Sequence, residues 1–317
     1  MVVGGGTGTS TVLMGLKQKP VRLTAIVSVA DHGGSTGRLR DEFGFQPVGD
    51  LRQSLAALAI EPTQEWIRKL LLYRFDKGDG LAGHNLGNLI LTALQDMAGS
   101  TATALELAEQ IFRLNGKILP ATSSTVDLVI ELANGKVLIG EDHLNHTEQK
   151  QIIKRIKLSP NAVLYQKAAD AIKQAQMVVI GPGDVYGSVL PAMVVRGFKR
   201  AAQISKAQFV TVINLMNRAN QTDGWPASKH VETIEKYLGK KLDKIVINTN
   251  RYDKELLKRY ADEGEHPVLD DLKDDPRVLR ASFARISERS SSAGDLLKRS
   301  LLRHDAEQLA TTLITLL

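Results

Sequence analysis

The strongest constraint on the fold is a set of short, almost continuously apolar runs separated by longer helical patterns. The runs are VRLTAIVSV (21–29), MVVIG (177–181), FVTVIN (209–214) and KIVIN (244–248). Such continuity is typical of parallel strands that are buried on both faces. Helical patterns fill the intervals, over residues 50–60, 86–97, 102–114, 168–175 and 191–204. This alternation predicts an α/β fold with a Rossmann-like, doubly wound and mainly parallel sheet.

One section interrupts this alternation. Two strand-like runs within residues 124–144 flank Ala133–Lys136, and the Asn-Gly pair between them is the strongest short signal for a β-hairpin. We therefore expect an antiparallel β-hairpin insertion around residues 122–158. The run QIIKRIKL (151–158) extends it with a further strand.

The two ends of the chain give weaker signals of the fold. Only Met1–Val3 precede the first glycines, which is short for a central strand. The serine-rich run 287–294 is predicted to be a loop and residues 306–317 a final helix. Because neither an internal repeat nor a long linker is evident, we expect a single domain over residues 1–317.

Composition limits the environment and the class of ligand. The 317 residues include no cysteine, which excludes disulfide bonds and thiolate metal sites and favours a reducing compartment. The first residues do not have the pattern of a signal peptide, and no run is apolar enough to span a membrane. We therefore predict a cytoplasmic protein without membrane insertion. The net charge of +6 suits an anionic small molecule, whereas 5% aromatic residues and scattered basic residues disfavour nucleic acid.

A first glycine loop, GGGTGTS, follows the short first strand and precedes a predicted helix. Its candidate binding residues are Gly4, Gly5, Gly6, Thr7 and Gly8. Glycines let the backbone approach a ligand, and the N–H groups at a helix start bind phosphate. The loop is not a Walker A motif, and Thr9 occupies the third glycine position of a dinucleotide fingerprint. A plain tight turn is the alternative.

A second glycine-rich segment, ADHGGSTGRLRDEFG (30–44), directly follows a predicted strand. Its candidate binding residues are Asp31, Gly33, Gly34 and Arg38. In nucleotide-binding folds an acid at this place often binds ribose. The alternative is a surface turn in which Arg38 and Arg40 pair with Asp41 and Glu42. Nearby, Asp50 lies at a predicted helix start, where an N-cap and a ligand contact are equally suitable roles.

The third loop, GPGDVYGS, comes directly after the strand MVVI. Its candidate binding residues are Gly181, Gly183, Asp184, Tyr186 and Ser188, the last three predicted to project at the sheet edge. An ordinary strand-to-helix turn is again the alternative. Loops that follow parallel strands emerge at one edge of the sheet, and ligands bind there where the strand order reverses. Three glycine loops at strand ends therefore predict an anion-binding site at that edge.

A fourth segment, LAGHNLGNLILTAL (81–94), is expected to line the same edge. Its candidate residues, with Asn214 from the end of strand 209–214, are His84, Asn85, Asn88 and Asn214. The histidines interpreted as structural are His143, His146 and His230. No H-x-x-x-H spacing or G-x-S-x-G elbow is present. The candidate Mg²⁺ ligands are Asp31, Asp50 and Asp184, because Mg²⁺ needs only one or two carboxylates besides phosphate oxygens.

In order, these segments resemble the gluconeogenesis-factor family of bacterial proteins, which is related to the 2-phospho-L-lactate transferases. The matching motifs are GGGTG, VADHGGSTGRLRDEFG, VGDLRQSLAAL, YRF (73–75), GHNLGNLILTAL, LPAT (119–122), IGPGDVYGSVLPAMVV, TDGWPASKHV (222–231) and LRHDAEQLA. They cover almost the whole chain, and the ordered set is specific although each single motif is not.

The resemblance implies a Rossmann-like core that binds a UDP-sugar, with UDP-N-acetylglucosamine (UDP-GlcNAc) the expected ligand. It also implies roles in cell shape and in growth on gluconeogenic carbon, through a protein partner in cell-wall synthesis. Carried over by motif, the nucleotide contacts fall on Gly4–Gly8, Asp31, Gly181–Ser188 and Arg303. Arg303 suits a diphosphate because its planar group can bind two phosphate oxygens. A pair with Asp305 on a surface helix is the alternative.

Two functions follow from the resemblance, and the family has no firmly assigned reaction. The first is a regulatory protein that binds a UDP-sugar. The second is a Mg²⁺-dependent phospho-group transferase, with Asp31 and Asp184 as candidate catalytic residues. His32 stands where the related transferases usually carry a second acid. The loss of that carboxylate weakens the case for Mg²⁺-dependent transfer. An NAD-dependent oxidoreductase is disfavoured by Thr9 and by the crowded second loop. The sequence does not determine the oligomeric state, and a homo-oligomer is compatible with it.

Overall fold

The computed structural model describes residues 1–31, 33–59, 64–144, 152–286 and 301–317. Within these ranges the strands are β1 (Val2–Gly4), β2 (Thr24–Val27), β3 (Lys117–Pro120), β4 (Asp127–Leu132), β5 (Val137–Ile139), β6 (Ile153–Ser159), β7 (Met177–Ile180), β8 (Gln208–Val212), β9 (Lys244–Asn248), β10 (Val278–Ala281), β11 (Ala284–Ile286) and β12 (Leu302–His304). The helices are α1 (Gly6–Leu16), α2 (Gly34–Phe43), α3 (Gly49–Leu58), α4 (Gln64–Leu72), α5 (Leu86–Ala98), α6 (Thr101–Ile111), α7 (Gln166–Gln174), α8 (Leu190–Met193), α9 (Phe198–Ile204), α10 (Ala227–Leu238), α11 (Lys254–Ala261) and α12 (Ala306–Ile314).

Seven of the described strands form one parallel sheet in the order β10-β9-β8-β7-β1-β2-β3. The chain moves from β1 to β2 and β3 on one side, and then returns to β7 on the other side of β1. The strand order therefore reverses between β1 and β7, and their carboxyl ends border a crevice of the kind in which such sheets bind ligands. The predicted Rossmann-like α/β fold is confirmed.

The short strand β1 holds the centre of the sheet. Val2 and Val3 are fully buried, and Val2 lies beside Ala25 of β2 and Val179 of β7. The helix α1 covers this strand with buried Val12. Three residues are sufficient because neighbours on both sides complete the hydrogen bonding.

The predicted antiparallel insertion is also present. Strand β4 pairs antiparallel with β5 and with β6. The turn between β4 and β5 contains Gly135 at φ +86°, and Asn134 accepts a hydrogen bond from the backbone N–H of Lys136. This is the turn chemistry that the Asn-Gly pair predicts.

Two predicted elements differ from the structure. The helix expected over residues 191–204 is divided into α8 and α9, because Gly197 at φ +102° starts α9 after an interruption. The segment 30–44, expected to be a loop, contains the helix α2. The serine-rich run 287–294, His146, and residue 151 of the predicted strand lie outside the described residues. The single-domain organisation remains a prediction.

None of the helices in the described ranges combines the length and the apolar character needed to cross a bilayer.

Candidate functional site

The first glycine loop delivers the start of α1 to the crevice. Gly4 and Gly6 have φ values of +148° and +67°, a conformation that favours glycine. Gly5 precedes α1 without a side-chain cap of its own, and Asp50 accepts a hydrogen bond from the Gly6 backbone. The N–H groups of the first turn that follow Gly6 are therefore available to a ligand. Thr7, on the first turn, is exposed. This arrangement suits an anion, because helix N-termini attract negative charge.

The third loop packs directly on the first. A Cβ atom at Gly8 would lie 2.2 Å from the carbonyl oxygen of Pro182, and one at Gly6 would lie 3.1 Å from Ser188 Oγ. The glycines are therefore required for the two loops to touch. Asn214 holds the third loop in place, since its side chain accepts from the Gly183 N–H at 3.0 Å and donates to the Gly183 carbonyl at 2.9 Å.

The second glycine-rich segment borders the same crevice, where its Asp31 lies against the start of α3. Asp31 accepts a hydrogen bond from the Gly33 N–H at 2.8 Å, and a Cβ atom at Gly49 would lie 2.3 Å from its other carboxylate oxygen. The next residue, Asp50, lies against the first loop, where a Cβ atom at Gly5 would be 2.0 Å from its carboxylate. The three predicted loops thus come together at one edge of the sheet.

The alternative that Arg38 and Arg40 pair with Asp41 and Glu42 in a surface turn is wrong. Both arginines lie on α2 and contact other parts of the chain. Arg40 forms an ion pair with Asp127 of β4, and Arg38 donates to the Ala82 carbonyl at 3.3 Å. These contacts connect α2 to neighbouring segments, and Arg38 remains exposed near the site.

The buried carboxyl group of Asp50 has a raised pKa in the crevice. Burial and the negative charges of Asp31 and Asp184 raise its pKa, a backbone hydrogen bond from Gly6 and the charge of Arg52 oppose this rise, and the resulting pKa is about 7. The three acids therefore lie within electrostatic range of one another. Within the described ranges, however, no three acidic or imidazole side chains are close enough to hold a metal ion by themselves.

Asp184 belongs to a second charged group on the other side of the crevice. Arg218 lies 3.8 Å from its carboxylate and 2.9 Å from that of Glu265. Burial raises the pKa of Asp184, and Arg218 opposes this rise. Glu141, from the turn after β5, approaches Gly187, where a Cβ atom would lie 2.5 Å from its carboxylate. Sequence reasoning missed Arg218, Glu265 and Glu141, because only the fold brings these distant segments together.

His84, Asn85 and Asn88 lie beneath the site instead of at its surface. Their exposures are 5%, 1% and 1%. Asn88 donates to the hydroxyls of Ser35 and Thr36 at 3.2 Å, and Ser35 also contacts the His84 ring at 3.2 Å. In this structure His84 and Asn88 fix the start of α2 and Asn85 caps α5, so a direct ligand contact would require these side chains to move.

The prediction that Tyr186 and Ser188 project at the sheet edge is wrong. They lie in a π-helical turn, Val185–Val189, with exposures of 5% and 9%. The Tyr186 ring packs edge-on against Trp225, which contacts His230 in the same way. His230 is buried, as expected of a structural histidine, and burial lowers its pKa to about 4. Of the other two histidines interpreted as structural, His143 is exposed.

Arg303 lies on β12, a strand and not the surface helix that the alternative required. Its neighbour His304 is buried and stacks on Phe283. Asp305 accepts a hydrogen bond from the Gln308 N–H at 2.9 Å and thereby caps α12. Arg303 itself faces the other side of the strand.

Comparison with known proteins adds three findings. A family model described as 2-phospho-L-lactate transferase CofD matches residues 1–285. A gluconeogenesis factor of Bacillus subtilis is 36% identical over 319 residues, which cover 100% of this chain and 97% of the relative. A crystal structure of a UPF0052-family protein from Bacillus halodurans matches with a TM-score of 0.88 and 34% identity, covering 99% of this chain and 97% of that one.

One relative is longer than this chain. It comes from Deinococcus radiodurans and is 36% identical over 318 residues. The alignment covers 100% of this chain but 65% of that relative, so the chain spans just under two thirds of its length.

Proposed function

The chain belongs to the 2-phospho-L-lactate transferase CofD family, and from this premise we propose that it binds a UDP-sugar in the crevice between the loops after β1 and β7. UDP-GlcNAc is the expected ligand. The proposal is supported above all by the packing of Gly4–Gly8 against Gly181–Ser188 beside the uncapped start of α1. The third loop borders the start of α1, while its own Gly181 and Gly183 N–H groups donate to Val3 and Asn214. The N–H groups of the first turn of α1 would therefore contact the diphosphate.

The other predicted contacts have different parts in this proposal. Asp31, in the segment that follows β2, is suited to bind a ribose hydroxyl. Arg38 is an exposed cation at the rim. His84, Asn85, Asn88 and Asn214 act indirectly, by holding α2 and the third loop.

We further propose a regulatory role in the cytoplasm, in which the ligand-bound protein acts on a partner in cell-wall synthesis and supports cell shape and growth on gluconeogenic carbon. The support is that relatives from Bacillus subtilis and Halalkalibacterium halodurans are named gluconeogenesis factors.

Isothermal titration with UDP-GlcNAc tests the binding. The wild type should give saturable heat, and Gly8→Ala should bind at least about tenfold more weakly, because a Cβ atom there would clash with the Pro182 carbonyl at 2.2 Å. Gly99→Ala, at the end of α5, is the control. At φ +69° it strains the backbone, but a Cβ atom there meets nothing within 4 Å, so it should lower stability and leave the affinity unchanged.

Saturable heat that is equal for wild type and Gly8→Ala would place the ligand outside the crevice. An absence of heat across UDP-sugars would refute the UDP-sugar function altogether.

A second candidate function, Mg²⁺-dependent phospho-group transfer, is favoured by the acids alone. Of the three predicted ligands, Asp31 and Asp50 would hold the ion together with phosphate oxygens, which suits a cation that needs few protein carboxylates. Asp184, the third, lies 3.8 Å from Arg218 and would have to turn from it to join them. A bound Mg²⁺ would neutralise charge on those oxygens. The electrostatics fit, because burial and the charge of Asp31 raise the pKa of Asp50, and a cation would reverse that effect. Phosphorus NMR of candidate substrates with Mg²⁺ tests this reaction; unchanged spectra over hours would contradict it.

A further inference from the structure

Arg218 places a positive charge beside the third glycine loop, at the edge of the crevice. Its Nε atom lies 3.8 Å from the carboxylate of Asp184. Asp184 directly follows Gly183, and a Cβ atom at Gly183 would lie 3.6 Å from the carbonyl oxygen of Gly5 in the first loop. The contacts that join the two loops therefore also bring the guanidinium of Arg218 towards the start of α1.

Two carboxylates pair with Arg218, and they hold it unequally. Its Nη1 atom donates to Glu265 at 2.9 Å, a normal length for a charge-assisted hydrogen bond. The distance of 3.8 Å between Nε and Asp184 is longer than a hydrogen bond. The side chains of Arg218 and Asp184 are 34% and 35% exposed, whereas that of Glu265 is 11% exposed. The pair with Asp184 is therefore the weaker and the more accessible one, and it is the pair that a ligand can replace.

The backbone of Arg218 is fixed in the loop that follows β8. Its N–H donates to the Thr222 hydroxyl at 2.8 Å, and its carbonyl accepts from the Thr222 N–H at 2.9 Å. The N–H of the preceding residue, Asn217, donates to the His266 carbonyl at 2.7 Å. Because these bonds hold the main chain, the guanidinium can change its partner by a rotation of the side chain, and the loop need not rearrange.

The start of α1 alone offers little positive charge to a diphosphate. A helix start carries about half an elementary charge. The carboxylates of Asp31, Asp50 and Asp184 border the same crevice and repel an anion when they are ionised. Arg218 lies against one of these acids, and its planar group can bind two phosphate oxygens. Its position and its chemistry therefore both suit the phosphates of a nucleotide.

We propose that Arg218 binds the diphosphate of the ligand, and that it exchanges the carboxylate of Asp184 for phosphate oxygens while it remains paired with Glu265. Arg218 thereby becomes a further contact of the proposed UDP-sugar site, on which its role depends. Asp184 is a competitor in this exchange, because it holds Arg218 in the free protein and repels the bound phosphates. Loss of the arginine and loss of the aspartate charge should consequently have opposite effects on affinity.

Isothermal titration of the full chain with UDP-GlcNAc, in EDTA and without Mg²⁺, tests the exchange. Arg218→Gln should bind about tenfold more weakly, since a charge-assisted contact is lost, and Arg218→Lys should lie between this variant and the wild type. Asp184→Asn should bind about threefold more tightly, because a competing negative charge is removed. If Arg218 only held the third loop in place through Asp184, both the arginine and the aspartate variants would bind more weakly.

Arg280→Gln is the matched control. Arg280 is also 34% exposed and pairs with Asp270 at 2.6 Å, but it lies on β10, the last strand at the far edge of the sheet. This variant should leave the affinity unchanged. If Arg218→Gln fails to fold, Arg218→Lys and Asp184→Asn decide the outcome.

Pyrophosphate distinguishes failure of the Arg218 contact from failure of the UDP-sugar function. It should raise the melting temperature of the wild type more than that of the Arg218 variants, with sodium chloride of equal ionic strength as the reference. If UDP-GlcNAc binds, but the Arg218 variants bind it equally well or Asp184→Asn does not bind it more tightly, the contact is refuted and the UDP-sugar function stands. If UDP-GlcNAc gives no heat and the pyrophosphate difference persists, the contact stands and the UDP-sugar function falls. If neither effect is seen, both fall.

Discussion

Replacing Asp50 with asparagine should stabilise the protein, and should do so increasingly as the pH rises. The carboxylate is 9% exposed, lies against Gly5 and accepts a hydrogen bond from Gly6, which an asparagine oxygen can also accept. Its pKa rises from 3.8 to about 7 on folding, chiefly because of burial and then because of Asp31. Between these values the unfolded chain has lost the proton that the folded chain retains. Stability is therefore highest below pH 4 with respect to this group, and it falls as the pH rises towards 7.

The size of the effect follows from the same shift. About three pH units at about 1.36 kcal/mol each give an upper limit of about 4 kcal/mol, because Asp31 shares the titration. Of this, about 2 to 3 kcal/mol should accumulate between pH 5 and pH 8.

Urea unfolding of wild type and Asp50→Asn from pH 5 to pH 8 measures this difference. Asp41→Asn, an exposed acid on α2, is the matched control and should give a constant difference. If the Asp50→Asn difference is also constant with pH, or if the variant becomes relatively less stable at high pH, the reasoning is refuted.

Four further outcomes are expected. Asp50→Asn should bind a nucleotide more tightly without Mg²⁺, since one negative charge is removed, and should lose any Mg²⁺-dependent turnover; titration and phosphorus NMR check these two effects. Leu13→Ala, at a fully buried position, should lower the free energy of unfolding by about 2 to 5 kcal/mol in urea titration. Asp305→Ala removes the cap of α12 and should cost about 1 kcal/mol by the same method. Gly15→Ala, where a Cβ atom would lie 1.9 Å from the Ala306 carbonyl oxygen, should cost about 1 to 3 kcal/mol as α12 moves away from α1.

The sheet could be predicted because its physical signal is local. Strands buried on both faces must be apolar at every position, so β7 and β9 stand out as continuous runs. The hairpin was equally clear, since its Asn-Gly turn has one favourable geometry.

The helix α2 could not be predicted in the same way. Leu39 is its only buried apolar residue, and its start is held by the hydroxyls of Ser35 and Thr36 through Asn88. A helix that packs through polar contacts has no apolar periodicity to detect. The interruption between α8 and α9 has a related cause, because Gly197 lies within an otherwise helical pattern.

For the candidate site, the glycine loops were visible in the sequence but their partners were not. The convergence of the three loops follows from the rule that parallel strands end at one edge. The pairing of Arg218 with Asp184 and Glu265 joins distant segments and depends on the whole fold. The burial of His84 and Tyr186 likewise could not be read from local sequence, because each is covered by another segment.

A crystal structure of the protein with UDP-GlcNAc tests the central claim most directly. The claim is that the loops after β1 and β7 border one crevice, in which the first turn of α1 binds the diphosphate. We expect density for both phosphates in the crevice, within hydrogen-bonding distance of the first turn of α1 and of the third loop. Phosphates bound at any other part of the surface, with this crevice filled only by water, would contradict the account.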